Sequence, residues 1–358
     1  MKRRRFIRNG LGAAGAWSLA PGIRFDRSPS FPFAASGRSD QNPEDAARIP
    51  PHRPDPVPKQ RPEAPTAPGI TALVLGTAQD GGLPQPGCAC GNCRRARRDP
   101  GFARKITSLA LLDRTAGRYV LIEATPDIRP QMESAGRRLP GGGEGSAILP
   151  SGVILTHAHI GHYTGLMFFG YEAASTRRLP VWASASMNRF LRGNGPWSQL
   201  VKLENIDLRD ISRDRAFSPT PGIEVTGFPV PHRDEFSDTL GLRIRGPRSR
   251  LLFIPDIQRW EEWERPIEEE VRGVDVALLD GTFFGPGELP GRDLREIGHP
   301  LIRDTLTRLA AVVSKNGPRV LFTHLNHGNP ALRPESEERR RIKAAGFEVA
   351  EDGMEFPL

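Results

Sequence analysis

The chain has 358 residues, of which 38 are glycine and 35 proline, a content that disfavours an all-helical fold and suits short strands, turns and an unstructured leader. Its formal charge of +8 gathers at one end: residues 1–68 carry 12 basic and 6 acidic side chains, a surplus of six, which leaves a surplus of two for the remaining 290 residues. That near-neutral remainder removes the case for nucleic-acid binding that the overall charge would otherwise make.

Residues 1–24 open with Met1-Lys2-Arg3-Arg4-Arg5-Phe6-Ile7-Arg8 and continue into a short, weakly apolar run from Gly10 to Ala20. A charged region followed by a modest apolar one is the order of an export signal rather than a membrane span, which needs about 20 strongly apolar residues. Arg3-Arg4-x-Phe6-Ile7-Arg8 resembles the twin-arginine signal, so the expected partner is that export machinery and the expected location is the periplasm. Because this route carries folded proteins, metal is expected to be loaded before export. Residues 25–68, with Pro54-Asp55-Pro56-Val57-Pro58 and little apolar content, read as a disordered linker.

From Ile70 the texture changes to short apolar runs separated by turns, expected to form one domain over 69–358. Strands are expected at 70–75, 108–112, 119–123, 153–155, 181–183, 223–230, 240–244, 251–254, 274–279 and 320–322. Helices are expected at 126–135, 186–191, 260–271, 301–314 and 334–345, several entered through proline or a capping residue. Trp260, Trp263 and the nearby glutamates read as an ordinary amphipathic helix. Strands interleaved with helices imply sheets covered by helices.

Seven of the eight histidines lie beyond residue 150, six of them in three short neighbourhoods. In Val153-Ile154-Leu155-Thr156-His157-Ala158-His159-Ile160-Gly161-His162, an apolar strand runs into imidazoles at i, i+2 and i+5. At an extended strand end, i and i+2 share a side, so His157 and His159 are placed to grip one ion while the turn at Gly161 returns His162 towards a second. His232, Asp256 and His324 each follow a further apolar strand. One such residue alone is commonly a turn residue; several ligand-bearing strand ends in one chain indicate a metal centre.

The order His-x-His-x-x-His, then His, Asp and His, resembles the metallo-β-lactamase superfamily across residues 69–358. The resemblance implies an α+β, four-layer αββα sandwich with metals at one sheet edge. It also implies His157, His159 and His232 on the first metal, His162 and His324 on the second, and Asp256 as the bridge. Two such ions would hold a water that ionises near neutral pH and attacks an ester, phosphodiester or amide. The superfamily motif normally reads His-x-His-x-Asp-His, however, and here Gly161 stands where the aspartate belongs. Asp80, in Gln79-Asp80-Gly81-Gly82 after the first strand, is a candidate to reach the vacated space, with an ordinary turn role before Gly-Gly as the alternative.

All three cysteines lie in Gly87-Cys88-Ala89-Cys90-Gly91-Asn92-Cys93. Three thiolates on a tight turn need one more ligand for a tetrahedral zinc site; one disulfide plus a free thiol is the alternative in an exported protein. The knuckle resembles the structural zinc site of the phosphonate-pathway cyclic phosphodiesterase and of the coenzyme PQQ synthesis protein B group, which implies His327 as fourth ligand. Gly76 to Cys93, Thr125-Pro126-Asp127-Ile128-Arg129, Asp280-Gly281-Thr282-Phe283-Phe284 and His324-Leu325-Asn326-His327-Gly328-Asn329-Pro330 also look like that group, although it often lacks the His-x-His pair retained here. By similarity to the phosphodiesterase, His299 faces the substrate as general acid or phosphate ligand, with a structural helix-entry role as the alternative.

The expectation is therefore a metal-dependent hydrolase of a small-molecule ester or phosphodiester, with one structural zinc, one or two catalytic zincs, and iron or manganese as other fillings of the catalytic site. His299, Asp256 and Asp80 are its expected catalytic residues. The alternatives are an iron-dependent hydroxylase or a non-catalytic accessory or carrier protein of the PQQ pathway.

Overall fold

The computed structural model describes residues 69–143, 148–288, 298–314 and 317–358. The export signal and linker expected over 1–68 lie outside the described residues.

Two seven-stranded sheets face each other. The first has the order β14–β1–β2–β3–β4–β5–β6, with β1 Ile70–Gly76, β2 Ser108–Asp113, β3 Arg118–Ile122, β4 Val153–Ile154, β5 Leu179–Ala183, β6 Ile206–Asp210 and β14 Glu355–Pro357. The second has the order β13–β12–β11–β10–β9–β8–β7, with β7 Ala216–Thr220, β8 Ile223–Val230, β9 Thr239–Arg245, β10 Arg250–Ile254, β11 Val276–Asp280, β12 Arg319–Thr323 and β13 Glu348–Val349.

The central strands are apolar on both faces because both faces are covered. In β2, Leu109 and Leu111 point between the sheets, while Ala110 and Leu112 pack outward under helices. In β10, Leu251 and Phe253 take the inner face and Leu252 and Ile254 the outer. The two-residue period thus divides each strand between an inter-sheet core and an outer one. Helices α2 (Ile128–Gly136), α4 (Ala185–Gly193) and α5 (Trp197–Lys202) supply residues to the outer core of the first sheet. Helices α6 (Ile267–Arg272), α7 (Ile302–Leu309) and α8 (Glu337–Ala344) do so for the second. The result is the four-layer αββα sandwich. Phe253 is fully buried in the inter-sheet layer, so Phe253→Ala is expected to cost about 3–5 kcal/mol in thermal unfolding; a change below about 1 kcal/mol would mean the two sheets do not share this core.

Strand direction gathers the site. β8, β10, β11 and β12 run one way in the second sheet, and β1, β3 and β4 run one way in the first. The segments leaving their C-terminal ends carry His232, Asp256, Asp280, His324, Asp80, Glu123 and the 157–162 run, so most of these residues meet at one edge of the sandwich.

Several local expectations need correction. The helix expected over 260–271 is a single 3₁₀ turn at Trp260–Glu262 followed by α6, because Pro266 has no N–H to continue a helix and disfavours helical geometry at Arg265. Trp260 and Trp263 are buried and donate their indole N–H groups to Thr305 Oγ1 and the Pro229 carbonyl. The helix expected over 301–314 ends at Leu309. Three helices appear where none was expected: α1 (Gly91–Arg98), one-turn α3 (Ile160–Tyr163) and α5.

Candidate metal centre

The five expected histidine ligands converge around Asp256, which is 2% exposed. Its Oδ2 lies 3.4 Å from His157 Nε2, 3.8 Å from His162 Nε2 and 3.7 Å from His324 Nε2. Its Oδ1 lies 3.2 Å from His232 Nε2. His159 Nδ1 sits 2.9 Å from His157 Nε2 and 3.2 Å from His232 Nε2. Nitrogens bound to one tetrahedral zinc at 2.0–2.1 Å would be separated by about 3.3 Å, so His157, His159, His232 and Asp256 fit a single ion. His162 Nε2, His324 Nε2 and Asp256 Oδ1 are buried without hydrogen-bond partners among the described residues, an arrangement that is costly unless a cation satisfies them. His162 and His324 group with Asp80 as a second donor set.

The protonation pattern prepares His157 and His324. Thr156 gives its hydroxyl proton to Glu123, so its oxygen accepts from His157 Nδ1–H at 2.9 Å and leaves the Nε2 lone pair facing the centre. Thr282 repeats the relay: it donates to Asp280 Oδ1 at 2.8 Å and accepts from His324 Nδ1–H at 3.0 Å. Burial holds the His157 and His324 imidazoles below their usual range, which keeps them neutral. Burial would raise Asp256, but His232, His324 and His299 around it outweigh that and hold the carboxylate well below its usual range. Glu123 and His324 both adopt positive φ, at 68° and 58°, directly after their strands, a backbone cost that structures of this kind concentrate at functional sites.

Glu123, Asp280, Thr156 and Thr282 carried no site role in the sequence analysis, although Asp280 and Thr282 lie in one of the stretches that bear the family resemblance. A buried carboxylate at a strand's C-terminal end was the available signal for the first two. His159 is held differently, its Nε2 lying 3.3 Å from the half-exposed Glu235. Glu235→Gln is therefore expected to weaken first-site metal binding by about 10-fold, the low end of such outer contacts; unchanged affinity in a chelator competition would show that Glu235 does not orient the ring.

Gly161 falls in α3, and a Cβ added there would stand 2.3 Å from Asp80 Oδ1. That oxygen accepts from Gly161 N–H at 2.8 Å and lies 3.8 Å from His162 Nε2. Asp80 thus occupies the space beside Gly161.

His299 places Nδ1 2.8 Å from Asp280 Oδ2 and 3.3 Å from Asp256 Oδ1. Burial lowers its pKa, but Asp280 and Asp256 prevail and hold it at about 9. The ring also borders a cavity of about 360 Å³ shared with Arg259, Trp260, Leu301 and Arg308. A second cavity, about 600 Å³, reaches the centre at Asp80 and Ile160.

The cysteines are unpaired by disulfides and surround His327 Nδ1, with Cys88, Cys90 and Cys93 Sγ at 3.4, 3.5 and 3.6 Å. A tetrahedral zinc with Zn–S of 2.3 Å and Zn–N of 2.0–2.1 Å requires about 3.6 Å between those atoms. The four residues therefore fit a structural zinc. Burial pushes the Cys93 thiol up to about 12, so a cation is what would displace its proton at neutral pH.

Comparison with known proteins agrees with this geometry. The model of the beta-lactamase superfamily domain matches residues 118–353. Coenzyme PQQ synthesis protein B of Rhizobium meliloti is 30% identical over 81% of this chain and 98% of its own length. The counterpart from Methylobacterium radiotolerans is 31% identical over 81% and 100%. The crystal structure of Zn²⁺-bound PqqB from Methylobacterium extorquens gives a TM-score of 0.69 at 25% identity, covering 80% of this chain and 100% of that one. A diphosphatase from the PhnP family shares the fold, with a TM-score of 0.58 at 22% identity over 81% and 97%. The chain belongs to the metallo-β-lactamase superfamily and, within it, to the coenzyme PQQ synthesis protein B group.

Proposed function

We propose that this protein is a metal-dependent hydrolase of a small ester or phosphodiester. The observation that carries the reading is the position of Asp256, whose two oxygens face donors of both histidine groups at once. Two ions held there would acidify a water near neutral pH and offset developing negative charge. His157, His159, His232, His162 and His324 hold the charges in place, and the threonine relays fix their rings. His299, held by Asp280 beside Asp256, is positioned to hand a proton to a leaving group.

A second reading, an iron-dependent hydroxylase, is supported by the grouping of Asp256, His299 and His324, two histidines and one carboxylate as in non-haem iron oxygenases. It is also the reading in which kinship to the PQQ group would extend to pathway. Zinc-, manganese- and iron-loaded protein separates the two when bis(p-nitrophenyl) phosphate hydrolysis is followed alongside oxygen uptake. Hydrolysis with zinc or manganese and no oxygen consumption is expected; oxygen uptake restricted to the iron form, without hydrolysis, would overturn the hydrolytic reading. Export to the periplasm remains part of the proposal and rests on Arg3-Arg4-x-Phe6-Ile7-Arg8.

A further inference from the structure

We infer that Asp80 is a relocated ligand of the second metal, replacing the carboxylate missing at position 161, and that the metal in the cysteine knuckle sets Asp80 in place. The inference rests on the two-metal reading above.

The first half follows from exclusion. A Cβ at position 161 would come within 2.3 Å of Asp80 Oδ1 and 2.8 Å of Asp80 Cα, so carboxylates at 80 and 161 cannot share the site. With glycine there, the backbone N–H of 161 becomes a donor to the Asp80 carboxylate at 2.8 Å. Asp80, His162 and His324 then offer ligand atoms that all lie within 4.8 Å of one another.

The second half follows from which loops supply which ligands. Residues 79–93 provide Asp80 to the second metal and Cys88, Cys90 and Cys93 to the knuckle. Residues 324–327 provide His324 to the second metal and His327 to the knuckle. Each of the two loops therefore serves both sites.

They are tied at both ends. Near the catalytic end, Gln79 N–H donates to the Leu325 carbonyl at 3.0 Å, and Asn326 Nδ2 donates to Gln79 Oε1 at 2.8 Å. Near the knuckle, Asn92 Nδ2 donates to the carbonyls of His327 and Asn329, both at 3.0 Å. Between them, Gln85 accepts from Cys88 N–H at 3.3 Å and donates its own N–H to Cys93 Sγ at 3.4 Å, while its side chain fills the space a Cβ at position 81, next to Asp80, would need. An ion on the three sulfurs and His327 closes this pair of loops, and Asp80 and His324 are held at their required separation as a result. Gln79 is a positioning residue in this scheme.

The test counts metal on the full-length protein and needs no substrate. Wild type is expected to carry about three equivalents of zinc. Cys90→Ser is expected to lose two of them, with a circular dichroism melt confirming that it remains folded. Gln79→Leu should keep the knuckle and first-site metals but bind the second about 10-fold more weakly in a chelator competition; Gln79→Glu, which retains the acceptor for Asn326, should restore it. Cobalt(II) substitution reports the knuckle separately through its thiolate charge-transfer absorption. Asp80→Gly should lose the second metal. Wild type with only the knuckle metal and one other would sink the two-metal reading itself. Wild type with three, of which Cys90→Ser keeps two, or Asp80→Gly keeps all three, would overturn this inference alone.

Discussion

Asp256→Ala is expected to release the metals of the histidine centre, leave metal at the cysteine site, and reduce the proposed hydrolysis by roughly 10⁴-fold or more, because the water that such ions would acidify goes with them. The size of the effect comes from sharing. His157, His159, His162 and His232 each fall in one donor group, whereas Asp256 lies 3.2–3.8 Å from ligand nitrogens of both histidine groups. The substitution also leaves five imidazoles crowded without the carboxylate that offsets any charge they carry. Elemental analysis alongside the chromogenic phosphodiester assay checks it. Retention of a full metal complement would show that Asp256 is a structural carboxylate and that the histidine groups bind independently.

His299→Ala is expected to lower kcat by about 10²–10⁴-fold, the range for losing a general acid, with metal content unchanged. His299 donates through Nδ1 to Asp280, a fully buried carboxylate that also accepts from Ile257 N–H at 3.1 Å and from Thr282 N–H at 2.9 Å. Asp280 therefore fixes the tautomer and orientation of the ring beside Asp256. Should His299→Ala lose a metal equivalent, the ring is a ligand with Asp256 and His324, and the oxidative reading gains. Asp280→Asn discriminates further: a positioning role predicts a kcat loss of about 10–100-fold with KM little changed.

Much of this centre was legible in the sequence because each ligand ends an apolar strand, and apolar runs of four to eight residues are what sequence reading detects best. His157, His232, Asp256 and His324 all lie within three residues of a strand's C-terminal end. The departure at Gly161 was visible, and so was Asp80 as a candidate to fill it, but the proximity of positions separated by 81 residues was not. Glu123 reads as the ordinary polar end of a strand, and Asp280 entered only as part of a family-resembling stretch; their burial at 0% exposure is what marks both as parts of the site. The missed strands β6, β7, β13 and β14 are the four sheet edges, and sequences such as Ile-Asp-Leu-Arg-Asp give a weak pattern when one face meets solvent. The expected 260–271 helix failed for a local reason, Pro266, that the amphipathic pattern concealed.

The most direct test is the metal content of protein purified without added metal, compared with that of a His157→Ala, His159→Ala double variant. The wild type is expected to hold more than one equivalent and the double variant to lose first-site metal while keeping the cysteine-bound zinc. A single equivalent in both proteins, abolished only by Cys90→Ser, would show that the histidine cluster binds no metal and would contradict the account.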